Sequence, residues 1–250
     1  MKRLVLAALF AFAVAPGLAE RLVSTLSSPQ VLITSSFDGA TLSLFGSIEA
    51  DVAGEAAAGP YNVITIITGP LQDRVTRLKT NRIGIWSNTD EVTFRHFPSF
   101  YAVIASGKLE NIAAPEVLEE FAVRPEDQAR LTAEATGAKA ERFSLELVRL
   151  MTKENHFVLR EDGVRFLSTN AYAVNLALPS DVANGPFLVR TLVLKDGQLV
   201  AERSEGFSVR KSGFENFVFV MSRQQPLLYG IACVLLALGT GWLAGVVFRR

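Results

Sequence analysis

The C-terminal end constrains this chain most. From 227 to 248 the sequence carries no charged residue, and the run ends in the pair Arg249 and Arg250. At about 1.5 Å per residue a helix of this length covers roughly 33 Å, enough to cross a hydrocarbon core of about 30 Å. The sequence therefore predicts one membrane-spanning helix over 226–248 with a two-residue tail, 249–250. Everything before it is expected to be a tethered domain.

The other end sets the expected orientation. Lys2 and Arg3 precede an apolar stretch, 4–14, followed by Pro16, Gly17 and Ala19. That layout matches a secretory signal peptide over 1–19, with the mature chain starting at Glu20. A cleaved signal puts the new N-terminus outside the cytoplasm, and an arginine pair after a span favours the cytoplasmic side. Both cues predict a single-pass protein with an external domain and a cytoplasmic C-terminus.

About 207 residues lie between these two ends, enough for one large or two small domains with a real core. The lone cysteine, Cys233, falls inside the span, so the domain is expected to hold together without a disulfide. Four of the 25 basic residues (Lys2, Arg3, Arg249, Arg250) lie outside the domain while all 25 acidic ones lie within it, leaving it four charges negative. With no cluster of lysine and arginine, nucleic acid is not an expected partner.

Catalytic motifs are equally hard to find. His96 and His156 have no carboxylate or cysteine at metal-ligand spacing, no serine occupies a G-x-S-x-G elbow, and the glycines of 239–245 follow no strand. The sequence predicts no cofactor, no metal site and no enzyme.

Between 20 and 112 the pattern is that of strands: short runs of valine, isoleucine, threonine and aromatics bounded by glycine, proline and aspartate. Segments 31–34, 41–44, 61–68, 73–79, 83–86, 92–97 and 100–104 are read as strands. A helical insert is expected over 113–160. Pro115 and Pro125 suit first-turn positions, and Phe143, Leu147, Leu150 and Met151 make an i, i+4, i+7, i+8 stripe. Strands resume over 161–225, where Asp196-Gly197 between two apolar runs is a strong hairpin signal. This part is read as a second β domain or as the other half of one sandwich, and 214–221 as a final strand or a pre-membrane helix. The expected fold class is mainly β: an immunoglobulin-like β-sandwich of one or two units with a helical insert, followed by one transmembrane helix.

Two interaction surfaces stand out. Cys233, Ala237, Gly241 and Gly245 recur every four residues, a small-residue seam along which another helix can approach closely, with Thr240 beside it as a hydrogen-bonding group. The second is the aromatic region holding Trp86, Asn88 and Tyr101 with Phe94, Phe97 and Phe100. Most of these aromatics are read as core, with Trp86 the exception; Trp86, Asn88 and Tyr101 are the candidate partner or ligand surface.

The segments FDGATLSLFG (37–46), TGP (68–70), RIGIWSN (82–88), FPSFYAVIAS (97–106), KDG (195–197), KSGFENFVF (211–219) and LLYGIACVLLALGTGWLAG (227–245) resemble those of an alphaproteobacterial transmembrane-protein family (Alph_Pro_TM) over nearly the whole mature chain. That resemblance implies a bacterial inner-membrane protein with a periplasmic domain. It further implies a membrane-protein partner of the sulfite-exporter-like permease kind. The expected role is thus a membrane-anchored periplasmic interaction module, or, as the alternative, a tethered periplasmic domain that binds a small anion.

Overall fold

The computed structural model describes residues 20–34, 37–50 and 59–248; the expected signal peptide and the Arg249-Arg250 tail lie outside the described residues. In chain order the elements are β1 (Glu20–Leu26), β2 (Gln30–Ile33), β3 (Ala40–Ala50), β4 (Asn62–Thr68), β5 (Leu71–Arg82), β6 (Ile85–Pro98) and β7 (Tyr101–Ala105). Four helices follow: α1 (Leu109–Ile112), α2 (Pro115–Glu120), α3 (Pro125–Thr132) and α4 (Gly137–Lys153). Then come β8 (Phe157–Arg160), β9 (Val164–Phe166), β10 (Ala171–Leu178), β11 (Gly185–Lys195), β12 (Gln198–Lys211), α5 (Phe214–Gln224) and α6 (Pro226–Val247).

The chain is mainly β, as its strand signals predict. One sheet has the order β1-β3-β10-β9, and a second has β2-β12-β11-β4-β7-β8. Each mixes strands from both sides of the helices: β3 pairs with β10, and β4 with β11. Residues 161–211 therefore complete the two sheets begun by 20–105 and do not form a sheet system of their own.

Two apolar clusters explain the layering. Leu42, Leu44, Ile48, Tyr172, Val174 and Leu176 of the first sheet share one cluster with Val63, Ile67, Phe187, Val189, Val193 and Phe207 of the second. In β3 the alternation of Leu42 and Leu44 with Thr41 and Ser43 points one face inward, as a half-buried strand requires. The other face of the second sheet, with Ile64, Ile66, Tyr101 and Val103, packs into a cluster with Leu118, Phe143, Leu147 and Met151 of the helices. Strand β4 thus lies between two apolar layers. That is why its sequence, NVITIIT, does not alternate and why residues 63–67 are all buried.

The helices begin where the sequence predicts, with Pro115 and Pro125 in first turns and acids beside them. Helix α4 buries Phe143, Leu147 and Met151 together with Ala140, Ser144 and Val148, while Leu150 of the expected stripe is 41% exposed. The insert also starts earlier than position 113, because Leu109 and Ile112 already form a buried helical turn. Segment 214–221 belongs to a helix, not a strand.

The largest departure concerns 71–98. The expected strand over 83–86 is instead a turn at Ile83-Gly84 joining two long strands, with Arg82 opposite Ile85. The resulting ribbon prolongs the β4–β7 pair. Thr68 faces Tyr101 in the sheet and Leu71 faces Pro98 in the ribbon. Across the joint, Gly69 N donates to Phe100 O (2.8 Å) and Ser99 N to Pro70 O (3.0 Å). Its inner side packs on α3 and α4, with Val92 and Phe94 in one cluster with Ala129, Phe143 and Leu147; Phe94 bridges to Ala133, and at the exposed edge Lys139 binds Asp90 while Arg95 joins Asp73 of β5 (2.8 Å) to Glu134 (2.5 Å). Beyond Asp90 the helices stop covering it, and every residue from 81 to 89 is exposed.

Candidate functional site

Two surfaces answer to the sequence-predicted interaction sites, one on the span and one on the ribbon. Helix α6 starts with Pro226 in its first turn and runs 22 residues with none buried. It is the one helix among the described residues long and apolar enough to cross a membrane. Cys233, Ala237, Gly241 and Gly245 follow one another at four-residue steps, so the stripe drifts about 40° per step around the helix. A methyl placed on Gly239, on the opposite side of the helix, would meet nothing within 4 Å, and neither would one on Gly241 or Gly245 of the stripe. Cys233 of the stripe is exposed. Thr240 is a different matter. Its hydroxyl is shared between Leu236 O (2.8 Å) and Ala237 O (3.0 Å) of its own helix, which removes it as a ready donor to a neighbour.

On the ribbon, the three predicted surface residues part company. Trp86 is 68% exposed, and Asn88 is exposed beside it on β6. Tyr101 is not on the surface: it is 1% exposed at the start of β7, where helices cover the sheet. Its hydroxyl donates to Ala122 O (2.7 Å), and burial pushes the phenol well above its ordinary pKa. The same covering layer accounts for the burial of Phe94 and Phe97, whereas Phe100 is buried on the other side, between the two sheets, against Phe187 at 6.1 Å between ring centres. Phe97 stacks on Phe157 at 5.3 Å between ring centres, and Tyr101 tilts against Phe157 at 5.7 Å.

What the sequence pattern misses is the company Trp86 keeps. Ile83 has φ 54° and Gly84 φ 79°, the double left-handed conformation of a two-residue hairpin turn that favours asparagine followed by glycine. A β-branched residue there is sterically costly, yet Ile83 is fully exposed and Ile85 is 71% exposed. The signal available in the sequence was Gly84 after a run rich in charge; isoleucine's strand preference masked it. Lys79 and Arg82 are the charges nearest the tip, since Asp90 is held by Lys139 and Glu91 by Arg77 (3.1 Å).

A cleft of about 190 Å³ lies between the ribbon and α4, lined by Arg77, Leu78, Arg142, Phe143 and Glu146. In its lining Arg77 is engaged by Glu91 (3.1 Å) and Glu146 by Arg149 (2.8 Å). Among the described residues no three His, Cys, Asp or Glu side chains gather as a metal site would need.

A search of curated proteins finds no match to the sequence. The model of one family, described as "Putative transmembrane protein (Alph_Pro_TM)", matches residues 21–250. That match spans both sheets, the ribbon, the helical layer and α6, so the chain belongs to the Alph_Pro_TM family and is a single-pass membrane protein.

Proposed function

We propose that this protein is a non-enzymatic interaction module, held on the periplasmic face of a bacterial inner membrane by α6, that associates there with a larger membrane protein. The permease class implied by the family resemblance is the partner of choice. Under this reading the signal peptide is removed and the domain is an immunoglobulin-like sandwich. Strand order supports the latter: lettering β1, β3, β10 and β9 as A, B, E and D, and β2, β12, β11, β4 and β7 as A′, G, F, C and C′, reproduces the order of such sandwiches. The ribbon is then an insertion between C and C′, and the helices one between C′ and D.

The observation that carries the proposal is the small-residue stripe along α6. In lipid, helix association depends on close backbone approach, and Cys233, Ala237, Gly241 and Gly245 at four-residue steps offer that approach. A domain that only needed tethering would be served equally well by a leucine-filled span.

The test is photocrosslinking in the native membrane from probes placed at Ala237 and Gly245 on the stripe, and at Leu243, which lies at least about 120° around the helix from both. Crosslinks to a polytopic membrane protein from the stripe positions are expected, with at least a severalfold weaker yield from Leu243. Gly241→Leu with Gly245→Leu should abolish them while membrane insertion persists. Equal yields from all three sites, self-crosslinks alone, or indifference to the leucines would overturn the reading.

A further inference from the structure

We infer that the β5–β6 ribbon makes a second membrane contact: its tip, Ile83, Ile85 and Trp86, immerses in the lipid leaflet facing the domain, with Lys79 and Arg82 at the level of the headgroup phosphates.

The first argument is the distribution of the apolar side chains. Neighbouring strand residues point to opposite faces, so Ile85 and Trp86 leave the ribbon on opposite sides while Ile83 caps its end. A protein pocket set against one face would cover one of the three and leave the others wet. Immersing the end covers all of them together. Tryptophan favours the headgroup level of a bilayer, and lysine and arginine extend their charged ends to it while their stems stay in apolar surroundings.

The second argument is where the ribbon is rooted. Pro70 sits against Gly185, where an added methyl would lie 2.6 Å from the proline ring. Gly185 in turn pairs with Val209 of β12. The ribbon thus leaves the body at the end where β12 delivers the chain towards the span. From Lys211 to Pro226 lie two linking residues, the 11 residues of α5 and Gln225, a path of no more than about 33 Å. The 12-residue strand β5 is roughly 40 Å long. A ribbon rooted that near the bilayer is long enough to touch it, and the tether keeps the surface permanently within reach.

Charge supplies the third. The end of the ribbon, 79–89, contains Lys79 and Arg82, both exposed, and no acid, although the domain as a whole is net acidic. An anionic leaflet attracts such an end and repels the rest of the domain, which favours end-on approach.

The chain contains two tryptophans, Trp86 and Trp242, so Trp242→Phe leaves the tip as its own fluorophore. The full-length variant is reconstituted in vesicles of phosphatidylglycerol and phosphatidylcholine, with or without lipid carrying a shallow nitroxide quencher. Trp86 emission should fall at least twofold with the quencher-bearing lipid, and aqueous iodide should quench it severalfold less than free tryptophan. Lys79→Glu with Arg82→Glu should cut the lipid quenching roughly twofold or more in anionic vesicles, with an unchanged far-UV circular dichroism spectrum. An emission open to iodide and untouched by the lipid label would overturn the inference. So would an emission shielded from both, since that places Trp86 in a protein contact. Lipid quenching indifferent to the charge reversal would overturn the headgroup role of Lys79 and Arg82.

Discussion

Gly46 offers the sharpest test of how the two sheets are packed. It lies in β3, between Ser24 of β1 and Tyr172 of β10, so the strand cannot slide aside without breaking a ladder on each edge. The Tyr172 ring lies across it: a methyl at position 46 would fall 2.3 Å from both Cζ and the hydroxyl oxygen, and 2.5 Å from Cε1. Relieving that requires more than an ångström of movement from a ring that is 0% exposed and walled in by both sheets. Overpacking of this kind costs about 1–3 kcal/mol, and expelling the ring forfeits its burial as well, so Gly46→Ala should lose about 3 kcal/mol. For a domain of this size that is a fall in Tm of roughly 6–12 °C. Thermal unfolding of the full chain in detergent measures it, because α6 buries nothing against the domain and leaves the transition to the sheets. Burial pushes the Tyr172 phenol up to about 12, so in the variant an additional tyrosine should titrate near its ordinary value of 10.0. Adding Tyr172→Leu should make the alanine nearly harmless, a coupling of about 2–3 kcal/mol. A Gly46→Ala protein within about 1 kcal/mol of the parent, with no new titrating tyrosine, would refute this account of the core.

Two further outcomes are expected. Ile83→Asn suits the left-handed turn, so it should raise domain stability by about 1 kcal/mol while reducing the quenching of Trp86 by labelled lipid; thermal unfolding and fluorescence on the same sample check both. Asp73 accepts hydrogen bonds from His96 N (3.1 Å) and the Arg95 guanidinium (2.8 Å), which hold its carboxyl below the ordinary value of 3.8. Because the folded-state pKa is depressed, this contribution is present above the unfolded value and disappears as pH falls through the folded one. Amide protection around His96 should therefore drop as pH falls below the ordinary carboxylate value of 3.8 in the parent and change little in Asp73→Asn, as followed by hydrogen exchange.

Much of the architecture is legible wherever a local rule decides the structure. The uncharged run of α6, the alternation in β3, the Phe143-Leu147-Met151 stripe of α4 and the turn at Asp196-Gly197, with φ of 51° and 78°, all follow from period and turn chemistry. The failures share a cause. Tyr101 reads as a surface aromatic only if the sheet has one covered face; the helices that bury its second face come from residues 109–153, and no local pattern announces where they dock. Leu150 follows helical spacing yet faces outward, because the surfaces packed around α4 favour Ala140, Ser144 and Val148 instead. Residues 83–86 read as a strand because both isoleucines prefer one. The cross-strand pairing of Arg82 with Ile85 overrides that preference and sets the turn at Ile83-Gly84.

The tip of the ribbon breaks two rules at once, and the magnitudes say what offsets them. Holding a β-branched residue in the left-handed region costs about 1–2 kcal/mol, and an Asn-Gly turn would avoid the cost with the same strand register. In water nothing at the tip recovers it, since Ile83, Ile85 and Trp86 are all largely solvent-exposed. Transfer of such side chains out of water is worth roughly 1.5–3 kcal/mol each when complete, so even half-complete immersion of three exceeds the strain. The same turn is thus a defect in a free domain and a favourable wedge in a bilayer, and the short tether from Lys211 to Pro226 decides which environment it meets. A conformational cost sited at an exposed apolar end, within reach of lipid, is where a departure from local consistency is expected to serve a contact and not the fold.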